Sequence, residues 1–325
     1  MFNRGKINEG NYMREFQSFI KTKNFGDTGR GGFYRKSKEQ KELFLDHLKL
    51  LHDCSFSIAE LINPKPGMFN NYGGSSNNSE KKELIERLSN FSHTGFKQYY
   101  SLYFALKHKK VSISILIKYI DLVEKIYINL IFTYSLSPSK IENIMSEMAT
   151  EIYEHDSSNY ENIYKNHYDK FKDWEGLDKE KFETLFADKN TSSGPVNYIF
   201  RRMNSQLDSG QVFRIDTGIE IEHVLPEKPE LWIKGKKITK EEHKEYLNKI
   251  GNKTLLTPEK NKIVKNDPYS RKISFYNKQN FIFTNETNNR FDKKLSVNYY
   301  KDWNKDSIIK RSNAIAKHAK NIWGF

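Results

Sequence analysis

Two-thirds of the way along the chain, at Asp208-Ser209-Gly210, the spacing of apolar residues changes. Before that point it is helical. The stretch 37–62 carries Leu43, Leu45, Leu48, Leu51 and Phe56 at mixed spacings of a few residues, as one face of an amphipathic helix requires. Helices are also expected over 96–110, 112–135, from Ser139 onward, over 179–187 and over 196–207. The 112–135 segment is nearly apolar all round and should sit at the centre of a bundle. Ser137-Pro138-Ser139 reads as the cap of the helix that follows, and the polar 70–80 segment as a loop. After Gly210 the pattern alternates, VFRIDTGIEIEHVLP, with period two. A polar Lys-rich stretch with Trp232, a helix over 240–250 ended by Gly251, a strand over 252–256 and a helix opened by Thr257-Pro258 follow. The prediction is a mainly α protein. Residues 1–208 form an α-helical scaffold that docks a partner or DNA, and residues 209–325 form an α+β domain with closing helices that carry Trp303 and Trp323.

Charge narrows the partners. The chain has 54 Lys and Arg against 41 Asp and Glu, a net charge of +13. From Gln211 onward there are 24 and 14, a net of +10, so the last third is the part suited to phosphate. A single cysteine, Cys54, excludes an internal disulfide and a zinc site built on cysteine pairs. No apolar run approaches the roughly 18 residues of a membrane span. The N-terminal MFNRGKINEG lacks a signal-peptide core, so a cytoplasmic location is expected. No internal repeat and no GxxxxGK[ST] loop is present. His93, His108, His155 and His167 are scattered in the helical part and read as surface or packing residues.

The alternating segment ends on Glu222-His223, two ionisable side chains just before Pro226, where the chain should enter a core. Asn252 follows His223 by 29 residues and Asn261 by 38. A hairpin and a following helix would fold these four together. Neighbours on a strand point to opposite faces, but a strand end broken by Pro226 can turn both Glu222 and His223 toward one cleft. The set suits cleavage of a phosphodiester. A neutral imidazole can take a proton from water. A carboxylate with an amide oxygen suits a hard cation such as Mg²⁺ or Mn²⁺ rather than zinc. Asn252, in a turn after Gly251, can bond backbone groups across the loop. Lys253, Lys260, Lys262, Lys265, Arg271 and Lys272 form a candidate phosphate-binding rim.

The series EHVLP (222–226), GNKTLL (251–256) and Asn261 resembles the HNH, or ββα-metal, nuclease motif in its His-Asn-Asn form. More narrowly, it is similar to the C-terminal nuclease domain of GmrSD-type modification-dependent restriction endonucleases. Trp232, Tyr269-Ser-Arg-Lys272, Trp303, Arg311, Ala316 and Ile322-Trp323 extend the likeness, as does YIFRRMNSQL (198–207). It covers 196–325 strongly and the helical part weakly. The resemblance implies a metal-dependent DNA endonuclease of restriction or anti-phage defence. In it His223 is the general base, Glu222 and Asn261 are metal ligands, Asn252 orders the loop and Lys272 contacts phosphate. Two departures stand out. Lys253 occupies a position that is usually apolar. The nucleotide-hydrolysing half that family members carry, in the same chain or in a partner subunit, is not found here. The alternatives are an inactive DNA- or partner-binding adaptor and an RNA-cutting toxin of the same fold.

Overall fold

The computed structural model describes residues 41–69, 78–207, 218–235, 237–288 and 291–325, with backbone only for 41–51 and 288. These residues pack into two compact units. One holds the described residues up to Tyr127 together with Leu136–Glu175, the other Ile128–Ser135 together with Gly176–Phe325. The expected boundary at Asp208 lies outside the described residues. Packing divides the chain earlier, at Glu175–Gly176, because Phe182, Phe186 and the apolar face of the helix after them are buried with the later residues.

The first unit contains α1 (Lys41–Ile62), α2 (Asn78–Phe91), α3 (Tyr100–His108), α4 (Ile113–Ile126), α5 (Pro138–Glu154) and α6 (Tyr160–Lys172). Of these, α2 and α6 were not anticipated, and α2 begins within the segment expected to be a loop. In α4 the buried Ile113, Leu116, Ile120, Val123 and Ile126 recur at helical spacing, and the Ser112 hydroxyl caps Ile115 N–H. The run expected as one helix over 112–135 changes character at Tyr127, where residues to Thr133 widen to a π turn. Ser137 occupies the N-cap position of α5 without a side-chain cap, its hydroxyl bonding Ser139 instead, while Pro138 takes the first helical position. Buried polar groups tie the helices. Arg87 on α2 donates to Asp121 and Glu124 on α4 at 3.0 and 3.1 Å. Tyr103 on α3 donates to Glu60 on α1 at 2.9 Å.

The second unit contains α7 (Phe182–Asp188), α8 (Ser193–Leu207), β1 (Glu220–His223), α9 (Glu230–Lys234), α10 (Lys240–Tyr246), β2 (Lys253–Leu256), α11 (Pro258–Val264), α12 (Tyr269–Tyr276) and α13 (Lys305–Trp323). The two strands pair antiparallel, with His223 opposite Lys253, Glu222 opposite Thr254 and Glu220 opposite Leu256. The strand after Gly251, the proline-led helix and the terminal helix stand where the sequence places them. Thr257 caps α11 by position, without a side-chain hydrogen bond. The apolar core gathers Val224, Leu225, Trp232, Leu256, Val264, Tyr276, Trp303 and Ile308 around the hairpin.

Arg311 on α13 is fully buried beneath the start of β2. Its guanidinium donates to the carbonyls of Gly251, Lys253, Leu295 and Phe283 at 2.6, 2.6, 2.8 and 3.0 Å. Burial lowers its pKa to about 10, so it is charged at neutral pH. Beside it Gly251 N–H donates to the Ser312 hydroxyl. A Cβ at Gly251 would stand 2.2 Å from Ile308 O and 2.5 Å from Ser312 Oγ. Glycine is therefore required by close approach to α13. Gly251→Ala is expected to destabilise the protein by about 1–3 kcal/mol, the usual scale of overpacking. Urea denaturation measures it, and an unchanged midpoint would refute the close approach.

Candidate active site at the end of the hairpin

The backbone after His223 is held from the far side of a long loop by Asn252. Its side-chain oxygen accepts from Leu225 N–H at 2.7 Å and from the Trp303 indole at 3.1 Å. Its side-chain nitrogen donates to Leu225 O and Leu247 O at 3.0 and 2.9 Å. Its own carbonyl accepts from Val224 N–H at 2.9 Å. Asn252 is fully buried. A four-bonded amide of this kind fixes one backbone path, because each group it leaves unpaired would cost about 1–3 kcal/mol.

His223 is half-buried at the last position of β1. Its Nε2 is shielded from solvent and has no hydrogen-bond partner among the described residues. Burial first, and then the nearby Lys253 and Lys272 charges, lower its pKa to about 4 against the opposing pull of Glu227 and of a hydrogen bond with Asn248. The ring is thus neutral at physiological pH, with a ring nitrogen unengaged.

Strand alternation persists to the end of β1, and this separates residues expected to meet. Glu222 is 5% exposed. Its carboxylate is 2.5 Å from the Lys272 ammonium and accepts from the Tyr276 hydroxyl at 3.3 Å. Burial pushes the Glu222 carboxyl up and the Lys272 ammonium down, against the attraction of each for the other. Glu222 is therefore committed to an internal ion pair, not open as the ligand the sequence suggests. Lys272 is 0% exposed and cannot reach phosphate. Lys253 is 1% exposed, its ammonium donating to Thr191 O, and burial lowers its pKa to about 8. Both leave the predicted phosphate rim for the same reason: their cations are consumed by groups inside the fold. The exposed part of that rim is Lys262, Lys265 and Arg271, with Lys260 partly covered beside Glu259 at 3.1 Å.

Asn261 on α11 meets a different carboxylate. Its amide nitrogen donates to Glu220 Oε2 at 2.8 Å. Glu220 and Asn261 together offer a carboxylate and an amide at an exposed edge. The sequence carries a signal for Glu220 that the expectation passed over, since in Ile219-Glu220-Ile221-Glu222 the two acids share one strand face. Two further supports had no readable signal. Thr191 closes the Lys253 side through bonds to Asn248 O, and His243 Nε2 lies 2.9 Å from Pro226 O. Among the described residues no three His, Cys, Asp or Glu side chains gather as a metal cluster, and no helix is long and apolar enough to cross a membrane.

The second unit is a mainly helical fold that presents a short two-stranded sheet, a following helix and a half-buried imidazole whose Nε2 has no hydrogen-bond partner among the described residues. Residues 177–318 match the family described as GmrSD restriction endonucleases, C-terminal domain. Over that span, which lies within the Gly176–Phe325 part of the second compact unit, the chain is similar to that domain. A comparison with curated proteins finds no match.

The depressed pKa of His223 carries a pH signature. Its folded value near 4 lies below the ordinary 6.5, so the unfolded chain binds the proton more readily. The stability from this group is complete above about pH 6.5 and is lost as pH falls toward 4. His223→Asn should therefore flatten the decline of stability between about pH 6.5 and 4, measured by chemical denaturation at stepped pH. A wild-type decline retained in the variant would refute the burial argument.

Proposed function

We propose that the chain is a metal-dependent endonuclease of the HNH class acting on DNA, with His223 as its general base. The observation that carries this reading is the unengaged Nε2 of a neutral, half-buried His223 on a backbone clasped by Asn252. The similarity of residues 177–318 to a restriction endonuclease domain supports it, as does the basic surplus of the last third.

The donor chemistry fits a hard divalent cation. Asn261 and Glu220 would hold it, in place of the Glu222 expected from the sequence, through oxygen atoms. Mg²⁺ is commonly held by one or two carboxylates with several waters retained, and the lack of cysteine pairs argues against zinc. When bound, such an ion would supply a Lewis acid for the scissile phosphate and its leaving oxygen.

The chain's own residues have the following parts in this reading. His223 is the general base, a role open to a neutral imidazole, its shielded Nε2 taking the proton from a water admitted beside the ring with the substrate. Asn252 fixes the backbone that aims the ring. Lys262, Lys265 and Arg271 attract the nucleic-acid backbone by charge, without base readout. One such site cuts one strand, so a monomer nicks. The role is that of a nuclease subunit, or the nuclease half of a GmrSD-like defence system, with a nucleotide-hydrolysing sensor supplied elsewhere and the helical first unit as scaffold.

Incubated with supercoiled plasmid and Mg²⁺ or Mn²⁺, the wild type should nick. His223→Ala should lose on the order of 10²-fold or more of that activity while retaining DNA binding. Equal cleavage by the two proteins would remove the catalytic assignment, and cleavage of structured RNA alone would favour the toxin reading. Asn261→Ala should raise the Mn²⁺ concentration needed for half-maximal nicking. An unchanged titration would exclude Asn261 as a ligand.

A further inference from the structure

Lys272 has no access to solvent, yet its ammonium reaches the residues on which the proposed chemistry turns. It lies 2.5 Å from Glu222 Oε1 and donates to the backbone carbonyl of His223 at 2.9 Å. The peptide joining His223 to Val224 is therefore held at both ends. Its carbonyl is fixed by Lys272, and its N–H by the Asn252 carbonyl. The next residue, Leu225, is gripped at both its N–H and its carbonyl by the Asn252 side chain. Glu222 is the counterweight. Its carboxylate, bonded also by Tyr276, holds the ammonium beneath β1.

We infer that Lys272 is a positioning residue: its ammonium, anchored by Glu222, fixes the His223 carbonyl and with it the placement of the imidazole. The inference rests on the reading of His223 as general base and assigns Lys272 a different task from the phosphate contact expected of it. An ammonium suits the task because it offers several donors from one point, enough to serve a carboxylate and a carbonyl together. The pair serves geometry more than net stability, since a buried ion pair is often replaceable by apolar groups without loss.

That replaceability supplies the test. Lys272→Met alone strands a buried carboxylate and can prevent folding. Glu222→Met/Lys272→Met replaces both ions by apolar side chains of similar length and should melt near wild type. The full-length double variant is assayed for DNA binding across a salt series, for nicking kinetics with Mg²⁺, and for the His223 ring signal in ¹H–¹³C NMR, assigned by its loss in His223→Ala. The expected result is kcat lower by about 10–100-fold, the scale of lost support behind a reactive group, with KM and the salt slope of binding unchanged. The His223 signal should shift or split. Glu222→Gln, which keeps the bond from Lys272 to the His223 carbonyl, should lose less. A folded double variant with wild-type kcat and an unmoved His223 signal overturns the inference. So does a salt slope reduced by about one with kcat intact, which would restore the phosphate contact. If wild type and His223→Ala both fail to nick, the nuclease reading falls, and the His223 signal alone decides the positioning.

Discussion

The second unit is organised around one buried cation. Arg311 gives four carbonyls a common donor, and those carbonyls belong to segments far apart in sequence: the turn before β2, β2 itself, and the stretches around Phe283 and Leu295. An unpaired carbonyl inside a core is costly, so each segment is driven to the same point. Among the described residues Arg311 meets no carboxylate. Its charge is spread over carbonyl dipoles, and its guanidinium lies 5.7 Å from the Phe200 ring. With the guanidinium in place, Gly251 sits against α13 and Asn252 falls in register to grip the strand end. The candidate site thus depends on a residue that touches none of the side chains proposed to act in it.

Much of this was legible in advance. The glycine before Asn252 and the proline opening α11 each carry a local physical reason that survives in the fold. The order strand, long connection, strand, helix could be read because each element announces itself through neighbouring residues. Asn252 could be read as a loop-holder because an amide after a glycine has few other uses.

What could not be read was direction. Whether Lys253 and Lys272 face water or core depends on Thr191 and Glu222, which lie 62 and 50 residues away. A lysine looks the same in a sequence whether its ammonium is solvated or buried. Likewise Glu220 rather than Glu222 stands beside Asn261 because the Lys272 ammonium, 50 residues on, holds Glu222 inside the fold, and nothing local in the sequence tells the two acids of one strand face apart. The helical residues 176–207 were assigned to the first part for a similar reason. Their periodicity shows a helix, and only packing against α13 shows to which unit it belongs.

The connection from β1 to β2 is long, yet both its ends are joined by the Asn252 clasp: Val224 and Leu225 on one side, Leu247 on the other. It behaves as a bag tied at the neck. Lengthening a loop whose ends are already closed costs little entropy, roughly 0.6 kcal/mol for each doubling. Apart from Trp232 and Ile238, which pack into the core, the exposed turns of the excursion between Glu227 and Tyr246 are therefore where such a scaffold can accept new sequence, and with it new contacts, while the geometry beneath the knot is left as it was.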